Sequence, residues 1–553
     1  MSIIRSAAKG ATLLIGSSIV GRAITFLANV VVARTVGRAA LGVGALRLDE
    51  VMFLGPLQLV RDGLRKVSYR GKSSREKQTL INTAWVSMPV GILIALGIAF
   101  LLHMHPPNSK ADSDGIEPAV YTRSIAYTFF GVVLAFLHEP MFLLALSDMK
   151  QGLRARVTVA AQFGKSFVQV ILLVVFADKG FGIEAFALAN VAYAGVLLLG
   201  YLAHFALCSK ATDGDGSVSL LPKRLIPSPS RTPATNSGWY HKYFDPALFA
   251  AIMMFWMQAI QKWFLENGEK LMLVFLGTAQ DAGGYILISN LGSIVARILL
   301  QPVEEMSLAA FSKLEKEKAE HAGLNDPVYK LIRVLILVMS IGGLMFTAFG
   351  PAFSHLLLSI LYGPKWSETD APFLLAVYCV YICTMALNGI LEAFVQGVAE
   401  AEQLKRYNYW LVAFSVAFLG SVFALIPYGI VGLIVANIVK MLCRIFVCLV
   451  FYLKPYMVNR QASKAEAFRM RGLFPENRVL LAFSGSFVLT QLSQKWIYYS
   501  VAEPQVFSYS TLGHLFVGVV CFSVTSAFCW LNHRMEIIDA IGGSEKDGRL
   551  KEK

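Results

Sequence analysis

Residues 430–453 read IVGLIVANIVKMLCRIFVCLVFYL. As a helix this stretch covers about 36 Å, more than the roughly 30 Å of hydrocarbon in a bilayer. Pro427 and Gly429 punctuate its start, and Asn437, Lys440 and Arg444 interrupt it. The stretch therefore reads as a membrane helix with polar groups inside it. Working outward, similar runs lie at roughly 10–33, 41–60, 80–102, 121–146, 157–176 and 181–207. Others follow at 247–276, 283–309, 328–360, 371–397, 407–426, 478–500 and 507–531. The expected architecture is an all-α polytopic membrane protein of about fourteen transmembrane helices.

The composition agrees. Of 553 residues 56% are apolar and only 16% charged, with a mean hydropathy of +0.57. An ordinary soluble domain is about a quarter charged, so there is too little charge here to coat several cores. Soluble enzymes, disordered chains and fibrous proteins are excluded on that ground. The seven cysteines fall mostly inside apolar runs and show neither zinc spacing nor a disulfide framework.

The net charge of +14 decides orientation rather than a nucleic-acid partner. With the N-terminus on side one, the connections on that side hold about 35 Lys and Arg, against about seven on the other. Both termini are expected in the cytosol. The longest polar insert, 208–245, is rich in Ser, Pro and Gly and reads as a flexible cytosolic linker.

The chain also echoes itself. Gly182-Ile183 with Ala189-Asn190 matches Gly429-Ile430 with Ala436-Asn437, and Glu139 with Phe142 answers Glu392 with Phe394. Gly42 and Gly284 open the second and eighth spans, which end in Arg61-Asp62 and Glu304-Glu305. The offsets lie near 250 residues and pair spans two, four and six with eight, ten and twelve. An even number of helices per unit gives parallel copies, a transporter architecture with a cavity between lobes. The expected division is a six-helix lobe over 1–207, the linker 208–245, and a second six-helix lobe over 246–454. Two further transmembrane helices over 455–531 and a cytosolic tail over 532–553 complete it.

Charges inside spans narrow the candidates, because a charge at the bilayer centre costs ~3 kcal/mol or more unless paired, snorkelled or wet. Lys165, Lys270, Lys440 and Arg444 fall near helix ends and read as snorkelling. Arg22, Arg47 and Arg297 lie deeper and read as cavity groups, where an arginine fork suits a phosphate because it donates two hydrogen bonds and stays charged. Asp49, Arg61, Asp62, Glu139, Asn290, Glu304, Glu305, Asn388 and Glu392 are polar cavity or gating candidates. Arg61-Asp62 and Glu304-Glu305 read as rim ion pairs. Glu139 precedes Pro140, where a kink is as good a reading as a site. Gly164-Lys165-Ser166 resembles the end of a phosphate loop, but Val159 stands where its first glycine belongs. No catalytic or metal motif is present, so neither enzyme, cofactor nor metal is expected, and translocation must be passive or ion-coupled.

One family carries these residues closely. Asp281-Ala282-Gly283-Gly284-Tyr285, Ser289-Asn290-Leu291-Gly292-Ser293, Ala296-Arg297 and Gln301-Pro302-Val303-Glu304-Glu305 resemble the eukaryotic Requiring Fifty-Three family. Arg47-Leu48-Asp49, Arg61-Asp62-Gly63, Glu139-Pro140, Leu361-Tyr362-Gly363 and Asn388-Gly389-Ile390-Leu391-Glu392 extend the likeness along nearly all spans. Glu266-Asn267-Gly268-Glu269-Lys270 departs from it, since the family usually shows Thr-Glu-Gly-Asp-Arg there. The resemblance implies the multidrug/oligosaccharidyl-lipid/polysaccharide exporter superfamily and the endoplasmic reticulum membrane. It implies translocation of a dolichol-diphosphate-linked oligosaccharide to the luminal leaflet, with Arg22, Arg47, Arg297 and Lys262 as candidates for binding its diphosphate, and with membrane lipid and the N-glycosylation machinery as partners. Three alternatives stay open: a non-transporting accessory factor of lipid-linked oligosaccharide assembly, an ion-coupled small-molecule exporter, and a membrane glycosyltransferase. The last needs a large luminal loop, and 103–120 is the longest luminal connection.

Overall fold

The structure, a computed structural model, describes residues 21, 23–68, 73–107, 116–148, 150–176, 182–208, 218–225, 243–316, 327–459, 470–500 and 508–550. Helices and their connections account for all of these, with no strand among the described residues. The main helices in chain order are α1 (Ala23–Thr35), α2 (38–68), α3 (Ser74–Met104), α4 (118–147), α5 (Gln151–Val174), α6 (Glu184–Cys208) and α7 (Pro246–Leu276). They continue with α8 (279–316), α9 (Pro327–Tyr362), α10 (Ala371–Val398), α11 (Ala401–Leu425), α12 (429–459), α13 (Asn477–Trp496) and α14 (Tyr509–Leu550). Among the described residues ten helical stretches are long and apolar enough to cross a bilayer, and the bent α7 makes an eleventh. The expected spans at 41–60 and 478–500 correspond to α2 and α13, which fall outside that set. The reason is their polarity: α2 carries Arg47, Asp49, Glu50, Arg61, Asp62, Arg65 and Lys66, and α13 carries Arg478, Gln491, Gln494 and Lys495.

The chain forms two compact units, 1–286 and 287–553. The division falls inside α8, so α7 and the start of α8 pack with the first unit, whereas the repeat groups 246–286 with the second lobe. In the first unit α2 is central, and it packs on α4, α6 and α7. Its stretch Gly42–Leu54 is π-helical, a widened winding often found where a helix does more than pack. Close backbone approach is bought here with glycine: a Cβ on Gly42 would strike the backbone of Ala279 and Gly283, and one on Gly283 would strike the carbonyl of Arg38. α4 breaks at His138, and Glu139-Pro140 open its second limb, as the proline suggests.

In the second unit the aromatic side chains of α8, α10, α11 and α12 make the core: Phe311 meets Phe394 edge-on at 5.6 Å, and Tyr407 meets Tyr452 at 5.6 Å. Gly429 starts α12 at φ 60°, a left-handed conformation that favours glycine. The two final helices attach through interhelical hydrogen bonds rather than through the repeat. Ser486 of α13 shares one with Thr525 of α14 at 2.7 Å. His514 Nε2 donates to the Ala352 carbonyl of α9 at 3.1 Å, which leaves Nδ1 to accept from Ser493 at 2.9 Å in the neutral ring. Residues matched by the repeat share environments: Asn190 and Asn437 are 0% and 1% exposed.

The linker is not flexible throughout. Residues 218–225 lie along α3 and are read by its buried amides. Gln78 donates to the Leu221 carbonyl and accepts from the Ser219 N–H at 2.7 Å. Asn82 donates to the carbonyls of Lys223 at 2.8 Å and Tyr243 at 2.7 Å, and accepts from the Lys223 N–H at 3.0 Å. The Trp85 indole donates to the Leu220 carbonyl at 2.8 Å. Composition hides this strap, because its backbone partners sit in an apolar-looking helix about 140 residues upstream. Asn82→Leu removes two bonds to the strap and one to Tyr243, and should cost about 2–4 kcal/mol of stability. The expected result is a lower unfolding midpoint and new tryptic cleavage at Lys223 or Arg224. Unchanged cleavage would show that the amide does not hold the strap.

Candidate functional site

Several charges from other helices of the first unit converge on α2. Three charged residues of α2 itself, Arg47, Asp49 and Glu50, stand within four positions of one another in its π-helical stretch, and together they tie α2 to α3, α5 and α7. Arg47, 5% exposed, donates to the His105 carbonyl at the end of α3 at 2.8 Å and to the Val274 carbonyl in the last turn of α7 at 2.9 Å. These are carbonyls that a helix end leaves without an intrahelical partner, so a cation there ties two C-termini to α2. Asp49 pairs with Lys165 of α5 at 2.6 Å, and Glu50 pairs with Lys270 of α7 at 2.8 Å. The snorkelling expected of the two lysines is therefore corrected: their ammonium groups point to carboxylates. Lys270 follows a 52° bend between Leu248–Phe264 and Asn267–Leu276 in α7, the kind of broken helix that transporters use within the bilayer. Next to it, Glu269 accepts a hydrogen bond from the Tyr285 hydroxyl at 2.5 Å.

One carboxylate organises the other end of α2. Glu139, 2% exposed, receives Arg61 Nε at 2.8 Å and a bidentate fork from Arg65 at 2.8 Å on each oxygen. Arg61 also donates to the Ala135 carbonyl, brought into reach by the break in α4. Aromatic rings sandwich the network, with Arg65 4.1 Å above Phe142 and Arg61 5.3 Å from Phe136. The expected Arg61-Asp62 pair is thus corrected: Arg61 turns inward to Glu139, while Asp62 is exposed and interacts electrostatically with the exposed Lys262 of α7. Consecutive helical residues point about 100° apart, so one buried and one exposed position follow.

The second unit builds its acidic site differently. Glu392 accepts from Arg444 of α12 at 2.5 Å, from Asn388 at 3.3 Å and from Gln396 at 3.1 Å. Arg444, expected to snorkel, is thus an internal counterion. Glu304 lies against Gly389, where any Cβ would collide with its carboxylate, and it lies within electrostatic range of Glu392. Glu305 is exposed and accepts from Gln301 at 2.8 Å. Consecutive positions diverge around the helix, so Glu304 is half-buried where Glu305 is exposed. Asn388 is buried with its Oδ1 unpartnered, and Asn290 is half-buried. Arg297 lies in a second π-helical stretch, Ala296–Leu300, where its backbone is described. Arg22 lies outside the described residues. Among the described residues no group of three or more His, Cys, Asp or Glu is placed to hold a metal ion.

Sequence reasoning missed Arg65, Lys165, Lys270 and Arg444 as site members. For Lys165 and Lys270 the available signal was pairwise: two lysines inside spans and two adjacent acids, Asp49-Glu50, inside another.

A profile of the Rft-1 family, described as Rft protein, matches residues 6–542. A Dictyostelium discoideum protein called Man(5)GlcNAc(2)-PP-dolichol translocation protein RFT1 is 27% identical over 97% of this chain and 96% of its own length. Its namesakes from Mus musculus and Saccharomyces cerevisiae are 28% and 27% identical, covering 92% and 81% of this chain and 91% and 83% of their own. Among solved structures, the lipid II flippase MurJ in an inward closed conformation superposes with a TM-score of 0.60 at 11% identity, over 94% of this chain and 99% of that one. An inward-facing multidrug resistance MATE family transporter of the MOP superfamily gives 0.55 at 15% identity, over 80% and 96%. At these identities the two structures show the fold alone.

Among the described residues Glu139 is the acid that pairs with both the buried Arg61 and Arg65, so Glu139→Gln should destabilise the first unit by about 3–5 kcal/mol. Adding Arg61→Met should recover part of that loss, because the uncompensated cation goes with it. Unfolding midpoints of the single and double variants check this; a neutral Glu139→Gln would contradict the network.

Proposed function

The chain belongs to the Rft protein family, and on that premise we propose that it translocates a dolichol-diphosphate-linked, mannose-rich oligosaccharide across the endoplasmic reticulum membrane. The direction is from the cytosolic to the luminal leaflet, in support of N-linked glycosylation. The observation that carries the proposal is the match over nearly the whole chain to relatives named for translocating Man(5)GlcNAc(2)-PP-dolichol. The reaction is transport, with no bond made or broken. Its barrier is the transfer of a diphosphate and many hydroxyls through hydrocarbon.

The chain lowers that barrier by offering polar partners at membrane depth. Lys262 on the bent α7 and Arg297 in the π-helical stretch of α8 serve the diphosphate, together with Arg22. Asn290 and Asn388 supply amide contacts for sugar hydroxyls. Arg47, with two nitrogens on backbone carbonyls, holds the helix ends around that path. The excess of basic residues in alternate connections supports cytosolic termini. The internal echo supports two parallel six-helix lobes, 1–207 and 246–454, that exchange access to the two leaflets.

Reconstitution into vesicles containing labelled Man(5)GlcNAc(2)-diphosphate-dolichol tests the proposal, with exposure of the label in the opposite leaflet as readout. Protein-containing vesicles should exchange it at least about tenfold faster than empty ones, without an imposed proton or sodium gradient, and Lys262→Gln should slow exchange several-fold. Exchange equal to that of empty vesicles would overturn translocation and leave the accessory role in lipid-linked oligosaccharide assembly.

A further inference from the structure

Two lysines that enter the bilayer from different helices meet two consecutive acids on α2. Lys165 Nζ lies 2.6 Å from Asp49 Oδ1, and Lys270 Nζ lies 2.8 Å from Glu50 Oε2. The four side chains keep between 17% and 28% of their surface exposed, so none of them is sealed inside the protein. That separates them from Arg47, which is 5% exposed and bonded to backbone carbonyls. It also separates them from the Arg61–Glu139 pair, whose side chains are 7% and 3% exposed.

Fastening helices does not by itself require a charge pair, because apolar side chains of similar volume often serve as well once the desolvation of both charges is set against their attraction. Here two such pairs stand side by side in the π-helical stretch, and each lysine is bonded to an anion rather than to a carbonyl. The difference matters for exchange. A phosphate oxygen that displaces a carboxylate from an ammonium group keeps the cation paired throughout, and the released carboxylate, already partly exposed, gains water. Lysine suits such an exchange, since its compact charge and three rotatable donors impose no fixed fork on the incoming group. With the site closed the four charges cancel, so the membrane helices carry no uncompensated cation between ligands.

We propose that Lys165 and Lys270 form a binding site for the diphosphate of a lipid-linked ligand, held closed in this structure by Asp49 and Glu50 as internal substitutes for the anion. The site rests on the reading of the chain as a carrier of a diphosphate-linked lipid, and adds to it the residues that receive the charge and the contact that blocks them. Lys270 stands eight residues from Lys262, on the other limb of the bent α7, so one diphosphate leaving the pair of lysines has a further cation on the same helix.

The test measures binding to the full-length protein in nanodiscs, with a polyprenyl diphosphate in the bilayer as one probe and inorganic diphosphate in solution as the other. Asp49→Asn with Glu50→Gln removes the internal competitor and should tighten binding about tenfold or more. Lys165→Gln with Lys270→Gln should weaken it by at least about tenfold, each lost contact being a charge-assisted hydrogen bond. A charge-swapped variant, Asp49→Lys with Lys165→Asp and Glu50→Lys with Lys270→Glu, restores both pairs but moves the cations to α2. It should bind as weakly as the lysine-deleted form. Wild-type affinity in the charge-swapped variant, or in the lysine-deleted variant, overturns the site and leaves the transport reading intact. Lysine-dependent binding of inorganic diphosphate with no binding of the polyprenyl form overturns the lipid as its ligand, and with it the transport reading, while the anion site stands.

Discussion

A charge carried into hydrocarbon must bring its partner with it, and this requirement shapes the first unit more than any apolar contact does. Water cannot solvate a stray ammonium or carbonyl there, so Arg47, Asp49, Glu50, Arg61 and Arg65 of α2 are each answered by a group from another helix. Arg47 draws in the ends of α3 and α7, Asp49 holds α5, Glu50 holds α7 a second time, and Arg61 with Arg65 holds the broken α4. Remove that helix and its neighbours lose their counterions as well as their packing.

The same requirement explains how the chain's internal echo diverged. On the first half the carboxylate of α4 is neutralised from α2, by arginine. At the answering place on α8 the residue is Glu304, so the carboxylate Glu392 of α10 takes its cation from α12 instead. One solution ties the second and fourth spans, and the other ties the tenth and twelfth. The two units thus carry two different charge arrangements. The acidic surroundings of Glu304 differ from the cation-rich surroundings of Glu139.

Pairing also separates scaffold from machinery. Arg47, Arg61 and Glu139 are closed off and bonded to groups that cannot leave, whereas Lys165 and Lys270 are reachable and bonded to groups that can. Depth in the sequence does not make this distinction. Arg47 lies deep by count and serves helix ends, while the lysines, which lie nearer helix ends by count, carry the exchangeable charge.

What the sequence determined by itself was the medium, the helical class and the family, because these depend on local quantities: runs of apolar residues, loop charge and short motifs such as Asn388-Gly389-Ile390-Leu391-Glu392. The kink at Glu139-Pro140 was legible for the same reason, since a missing N–H is a property of one residue. Only the tertiary structure decided the partners. Nothing near residue 49 points to Lys165, nothing near Gln78 and Asn82 foretells a strap at 218–225, and the inward turn of Arg61 depends on a carboxylate on another helix. Electrostatic pairing across helices is set by distances of a few ångströms in space, and those distances do not exist until the chain has folded.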